Sequence, residues 1–130
     1  MVIDSSALLA ILLGEPETAQ FLGHIKSAPV RRISAASFLE TGMVLRRDSS
    51  GQRQILFEEL IIALRLSIVP VTEEQARSAL SAFAIYGKGH GHPAGLNFGD
   101  CLAYALAKVY GDTLLFKGND FSKTDIPVVV

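Results

Sequence analysis

Four acidic residues occupy positions where a carboxylate could do chemistry: Asp4, Glu40, Asp100 and Asp120. Asp4 closes the apolar start Met1-Val2-Ile3, so its carboxylate is expected at the end of a buried strand. On a helical wheel Glu40 adjoins Ala36, Met43 and Val44, on or beside an apolar face where an unpaired charge is costly. Asp100 shares a stripe with Ala103 and Ala107 and falls in a first helical turn, where the helix dipole favours negative charge. Asp120 follows Leu114-Leu115-Phe116 in a turn. Each has an ordinary reading when taken alone. Asp4 suits a helix N-cap, Glu40 the edge of an apolar stripe, Asp100 a capping-box partner for Asn97, and Asp120 turn chemistry. Gathered at one place, such carboxylates cannot all stay ionised without a cation. Oxygen-only ligands suit Mg²⁺ or Mn²⁺ rather than zinc. A site of that kind activates water and offsets charge during attack on a phosphodiester.

The elements that must bring these residues together alternate along the chain. Val2-Ile3 is an apolar stub, and Ser5 and Ser6 can cap a helix running to about Leu13, stopped by Gly14. Pro16 opens the next helix, with Phe21, Leu22 and Ile25 at helical spacing, and Pro29 breaks it. Val30 to Ile33 reads as a strand, and Ser34 caps a helix over Ala35 to Arg47. Ile55, Leu56, Leu60, Ile61 and Leu64 mark a further amphipathic helix, followed by a strand from Leu66 to Val71. Thr72-Glu73-Glu74-Gln75 fits a capping box for a helix to Tyr86. A glycine-rich loop spans Gly87 to Leu96, and Asn97 opens a long helix to Tyr110. Thr113 to Phe116 is a strand, and Pro127 to Val130 a last short one. Strands separated by helices predict an α/β fold, a three-layer α/β/α sandwich around a parallel sheet of about four to five strands. Functional groups in such folds gather beyond the carboxyl ends of the strands, where Asp4 and Asp120 are expected.

The whole chain sets further bounds. Its 130 residues and 14.0 kDa suit a single domain over 1–130. Charged residues are 19%, below the roughly 25% of an average soluble protein, which hints at surface covered by a partner. A net charge of -1 argues against holding nucleic acid by bulk electrostatics, leaving a local basic patch or a bound metal ion. Cys101 is the single cysteine, so an internal disulfide is impossible and a reducing compartment is expected. The run Ala7 to Leu13 is too short to span a bilayer, and the start lacks a secretory signal. A cytoplasmic protein without membrane attachment is the expectation.

Several other residues compete for a role. His90 and His92 in Gly87-Lys88-Gly89-His90-Gly91-His92-Pro93 suggest a metal clip, but no third nitrogen or sulfur ligand lies nearby; the loop reads as a linker or, with Lys88, a contact to nucleic-acid phosphate. The pairs Arg31-Arg32 and Arg46-Arg47 are solvated faces or contacts for a nucleic-acid backbone. Lys117 lies near Asp120, placed for a phosphate or for the acidic cluster. Cys101 follows an acid, which raises a thiol's pKa, and reads as packing.

The stretches Met1-Val2-Ile3-Asp4-Ser5-Ser6-Ala7-Leu8, Ser34-Ala35-Ala36-Ser37-Phe38-Leu39-Glu40, Ala94-Gly95-Leu96-Asn97-Phe98-Gly99-Asp100-Cys101 and Leu114-Leu115-Phe116-Lys117-Gly118-Asn119-Asp120-Phe121 resemble, in order and spacing, the PIN-domain family and its VapC-type toxins. The resemblance covers essentially the whole chain. It implies an acidic triad of Asp4, Glu40 and Asp100 around Mg²⁺ or Mn²⁺, with Asp4 and Asp100 the closest ligands and Glu40 direct or through water. Ser6 matches a small hydroxyl position that supports the site. Many members carry two acids before the phenylalanine where this chain has Asn119-Asp120, which leaves Asp120 as the fourth acid. The implied activity is that of an endoribonuclease toxin that cleaves cellular RNA. The implied partners are a cognate VapB-type antitoxin, whose tail blocks the acids, and a second copy of the chain in a homodimer.

Two other readings stand beside it. A catalytically silent subunit would keep the fold and regulate a partner, although it would have little use for Asp4, Glu40 and Asp100 together. An aspartate-based phosphatase or phosphotransfer domain would use Asp4 as nucleophile, but it usually carries a second acid two residues later, where Ser6 stands.

Overall fold

The structure is a computed structural model and describes residues 1–129. It contains four short parallel strands, β1 (Val2–Ile3), β2 (Arg32–Ser34), β3 (Ser67–Val69) and β4 (Leu114–Leu115), in the order β3-β2-β1-β4. Helices α1 (Ser5–Leu12) and α2 (Thr18–Ser27) connect β1 to β2, α3 (Ala35–Leu45) and α4 (Gln52–Ala63) connect β2 to β3, and α5 (Glu73–Tyr86) and α6 (Phe98–Tyr110) connect β3 to β4. Helical crossovers are what parallel pairing demands, since a tight turn cannot join parallel neighbours. The chain moves outward from β1 to β2 and β3, then returns to β4 on the other side of β1. Asp4 therefore stands where the strand order reverses, the usual place for a site in an open α/β sheet.

The strands alternate between two apolar layers because successive side chains point to opposite faces. Val2 and Leu114 join a cluster with Ala79, Ala82, Leu102 and Leu106 of α5 and α6. Ile3 and Leu115 join the other, with Leu8, Ile25, Ile33 and Phe57. Helices thus cover both faces, as the alternating sequence predicts. Within α6 an unbroken run from Cys101 to Ala107 is buried, and its small Ala103, Ala105 and Ala107 let neighbours approach closely. The helix ends at Gly111, whose φ of 62° is the left-handed conformation that glycine adopts without a Cβ penalty. Phe57 is the buried anchor of α4 and stacks on Phe38 at 5.5 Å.

Several expected boundaries shift. The strand expected from Val30 begins at Arg32, because the Met1 ammonium bonds the Val30 carbonyl and the Arg32 amide reaches Met1 O to start the ladder. The strand from Leu66 is three residues long, Ser67–Val69, with Pro70 ending it. Helix α3 stops at Leu45, two residues before the expected Arg47. The expected last strand is an isolated bridge from Val128 to Leu114, and Val130 lies outside the described residues. Asp4, rather than Ser5 or Ser6, caps α1. The box over Thr72–Gln75 is half formed: Thr72 accepts from the Gln75 amide, while the Gln75 side chain turns into the interior, 2% exposed.

Candidate acidic site

Asp4 is 3% exposed and fixed from several directions. Its amide donates to Leu115 O at 2.9 Å, which continues the β1–β4 pairing. Its Oδ2 accepts the Ser6 amide at 3.0 Å and the Ser6 hydroxyl at 2.6 Å. The Ser6 Oγ in turn accepts the Lys117 amide at 3.0 Å, so one hydroxyl joins the ends of β1 and β4. Burial raises the Asp4 pKa, the Ser6 bonds oppose this, and the negative charge of Glu40 adds to the rise.

Glu40 projects from α3 and is half-buried. The Ser5 hydroxyl donates to its Oε1. Gly99 of α6 also abuts it: an added Cβ there would come within 2.6 Å of Oε2.

Asp100 forms a complete capping box with Asn97. The Asn97 amide donates to Asp100 Oδ2 at 3.0 Å, and the Asp100 amide donates to Asn97 Oδ1 at 2.9 Å. Burial pushes the Asp100 carboxyl up to about 6 against the pull of the Asn97 amide; the charges of Asp4, Asp120 and Glu40 add to the rise. Asp120 is exposed, after β4 and ahead of a 3₁₀ turn over Phe121–Lys123. The capping roles of Asp4 and Asp100 and their proximity to the other acids therefore hold together. Asp100 lies within electrostatic reach of Asp4, Glu40 and Asp120, and Asp4 within reach of Glu40, beyond the carboxyl end of the sheet.

Among the described residues no three Asp, Glu, His or Cys side chains stand close enough to share one ion as placed. The donor set nevertheless suits a hard cation. Asp4, Glu40 and Asp100 each commit one oxygen to a protein donor, and the second oxygen of each makes no hydrogen bond among the described residues. Three such oxygens, with the Asp4 and Asp100 carboxyls raised and no soft ligand among them, make an oxygen-only donor set.

Other expected candidates have structural employment. His90 packs edge-on against Phe83 at 4.9 Å and His92 against Tyr86 at 4.9 Å, while His92 Nδ1 accepts the Ala94 amide. They are loop packing, not a metal clip. Arg31 donates to the carbonyls of Ala28, Leu64 and Lys26. Arg32 pairs with Asp112 at 2.8 Å and lies 4.2 Å over the Tyr110 ring. Both belong to the start of β2, opposite the acids, and so are not placed to hold a substrate there. The Lys117 ammonium pairs with Glu15 and Glu17 rather than with Asp120. Cys101 is buried, with its thiol pushed up to about 11 by burial and the Asp100 charge, which confirms packing. Arg46 and Arg47 remain exposed, and Arg47 lines a groove of about 430 Å³ with Leu39, Glu40, Met43 and Phe98. Ser5 and Gly99 are contacts of Glu40 that sequence reading missed. Ser5 looked like a capping residue, and nothing local marks Gly99 as a neighbour of α3.

A family model described as the PIN domain matches residues 1–127. Ribonuclease VapC28 of Mycobacterium tuberculosis is 50% identical over 128 residues, covering 97% of this chain and 95% of that protein. Two solved structures share the fold at low identity. VapBC2 from Rickettsia felis, bound to a DNA fragment from their promoter, gives a TM-score of 0.79 at 12% identity, covering 98% of this chain and 96% of the other. VapC20 of Mycobacterium tuberculosis, described as a sarcin-ricin loop cleaving toxin, gives 0.76 at 17% identity, covering 96% and 95%. A parallel sheet with an acidic end, a family match along nearly its full length and a half-identical relative lead to one assignment: the chain belongs to the PIN domain family.

Proposed function

We propose that this chain is the toxin of a toxin–antitoxin pair, a divalent-metal-dependent endoribonuclease that hydrolyses phosphodiester bonds in cellular RNA. The observation that carries this reading is geometric: Asp4 ends β1 at the switch point of the sheet, tied through Ser6 to the backbone leaving β4, and the Glu40 carboxylate lies against Gly99, one residue from Asp100. The half-identical relative named a VapC ribonuclease supports the chemistry.

Asp4 and Asp100 are the assigned principal ligands of Mg²⁺ or Mn²⁺, Glu40 binds directly or through water, and Asp120 contributes from the rim. The bound cation would activate water and offset charge on the phosphoryl oxygens. The protein supplies placement. Ser6 holds the Asp4 carboxylate at the strand end, and the Asn97 box holds Asp100 in the first turn of α6. With a net charge of -1, RNA is gripped locally, through the cation and through Arg47 in the groove beside Glu40.

The proposed partners are a cognate VapB-type antitoxin and a second copy of the chain. An apolar strip over α3, α5 and α6 supports such contacts: Leu39, Met43, Leu80 and Phe98 are 60%, 65%, 72% and 82% exposed. No described helix is long and apolar enough to cross a membrane, and the cytoplasm is the proposed location.

The test is cleavage of a structured RNA with Mg²⁺ or Mn²⁺, comparing wild type with Asp4→Ala and Asp100→Asn. Cleavage by wild type that both variants lose supports the proposal. Equal cleavage by all three would mark a contaminant and defeat it.

A further inference from the structure

Glu40 is reached by two residues from two other elements, and each contact has a feature that ordinary folding does not require. Ser5 opens α1 and is buried, 7% exposed. A buried hydroxyl needs a partner. Its hydroxyl donates to Glu40 Oε1, across 35 positions of sequence. Asp4 already caps the helix, so Ser5 is not needed for that task.

Gly99 of α6 is the second contact. A Cβ there would meet Oε2, Cδ and Oε1 of Glu40 at 2.6, 3.2 and 3.3 Å, so the whole carboxylate lies against the bare Cα. Gly99 is inside α6 and does not have a left-handed backbone. Its lack of a side chain is therefore not required by its conformation, and glycine in a helix is less stable than alanine. Close approach of Glu40 accounts for the glycine. The seat also places the carboxylate against the first turn of α6, where the dipole favours it, one residue from Asp100.

We propose that Ser5 and Gly99 are positioning residues that seat Glu40 in the acidic site: the Ser5 hydroxyl takes up Oε1, and the bare Gly99 Cα leaves room for Oε2 beside Asp100. The role in ion binding rests on the metal-dependent reading above; the seat itself does not. Gly99→Ala places a methyl where a flexible carboxylate must yield, so Glu40 moves and α6 stays. Ser5→Ala removes the donor and lets the carboxylate rotate.

Three measurements on the full chain test this. The first is the position of the Glu40 side-chain carboxyl ¹³C resonance at one fixed pH. Both variants should move it, while thermal melting of Gly99→Ala stays equal to wild type or rises. The second is Mn²⁺ binding by calorimetry, expected to weaken about tenfold in Gly99→Ala and several-fold in Ser5→Ala. The third repeats both substitutions in a Glu40→Gln background, where neither should weaken Mn²⁺ binding further. An unmoved Glu40 resonance in both variants overturns the seat, and so does equal weakening with and without the Glu40 carboxylate. If wild type binds no Mn²⁺ while the resonance moves as expected, the seat stands and the metal-dependent reading fails.

Discussion

Asp4 and Lys117 are joined through a single side-chain oxygen. Ser6 Oγ donates to Asp4 Oδ2 at 2.6 Å and accepts the Lys117 amide at 3.0 Å. The carboxylate at the end of β1 is thereby registered against the residues leaving β4, and through them against the turn that carries Asp120. Ser6→Ala leaves a backbone donor and a buried carboxylate each short of a partner. The expected loss is about 1–3 kcal/mol of stability, together with a fall in RNA cleavage. Ser6→Thr keeps the hydroxyl and should retain more of both, as measured by denaturant melts beside cleavage assays.

Asp4→Asn separates stability from activity. The amide oxygen can still cap α1 and accept from Ser6, and the cost of burying a charge disappears. Melting should be unchanged or higher, whereas cleavage should fall by about a hundredfold or more because a neutral amide is a poor ligand for a hard cation. A variant that melts like wild type and still cuts RNA at full rate would refute the role of Asp4.

Stability should depend on pH in a defined direction. Asp100 is raised from 3.8 to about 6, and Asp4 is raised as well. The neutral acids are preferred in the fold. The Asp100 contribution is complete below the unfolded value near 3.8 and is lost as pH climbs through about 6, and that of Asp4 is lost in the same direction. Asp100→Asn should therefore match wild type at about pH 4 and exceed it at about pH 7, by less than the shift alone would give because solvent screens this partly exposed carboxyl. Added Mg²⁺ or Mn²⁺ should raise wild-type melting at the higher pH and leave the variant less affected. Melts across the pH range with and without the ion read this directly.

At the far end of the sheet, Asp112 binds both the Met1 ammonium and Arg32. Burial works against its charge, but these two cations hold its carboxyl below the usual range. Asp112→Ala strands both cations and should cost about 1–3 kcal/mol. Because Asp112 lies away from the acids, cleavage per folded molecule should be unchanged. Acid should also weaken the wild type here, since a lowered carboxyl gives up its stabilisation as pH falls through its folded value.

Phe57→Ala tests the packing that carries α4. Phe57 is fully buried and stacks on Phe38 of α3. Removing the ring should cost about 3–5 kcal/mol, seen as a lower denaturant midpoint. The loss should exceed that of Ile62→Ala, because Ile62 on the same helix is 77% exposed.

The sequence alone carried the element order, the helical faces and the parallel α/β architecture, and it nominated the four acids. These depend on short-range physics: apolar period, Pro and Gly breaks, and capping chemistry. The boundaries it missed are set by partners distant along the chain, such as the Met1 contacts that delay β2 to Arg32. Only the tertiary structure decided which acids feel one another's charge, that the two histidines serve aromatic packing, and that Lys117 answers Glu15 and Glu17 rather than Asp120. It alone brought Ser5 and Gly99 against Glu40. Charge coupling and close approach depend on distance in space. That distance is fixed only when the crossovers bring α1, α3 and α6 to the same end of the sheet.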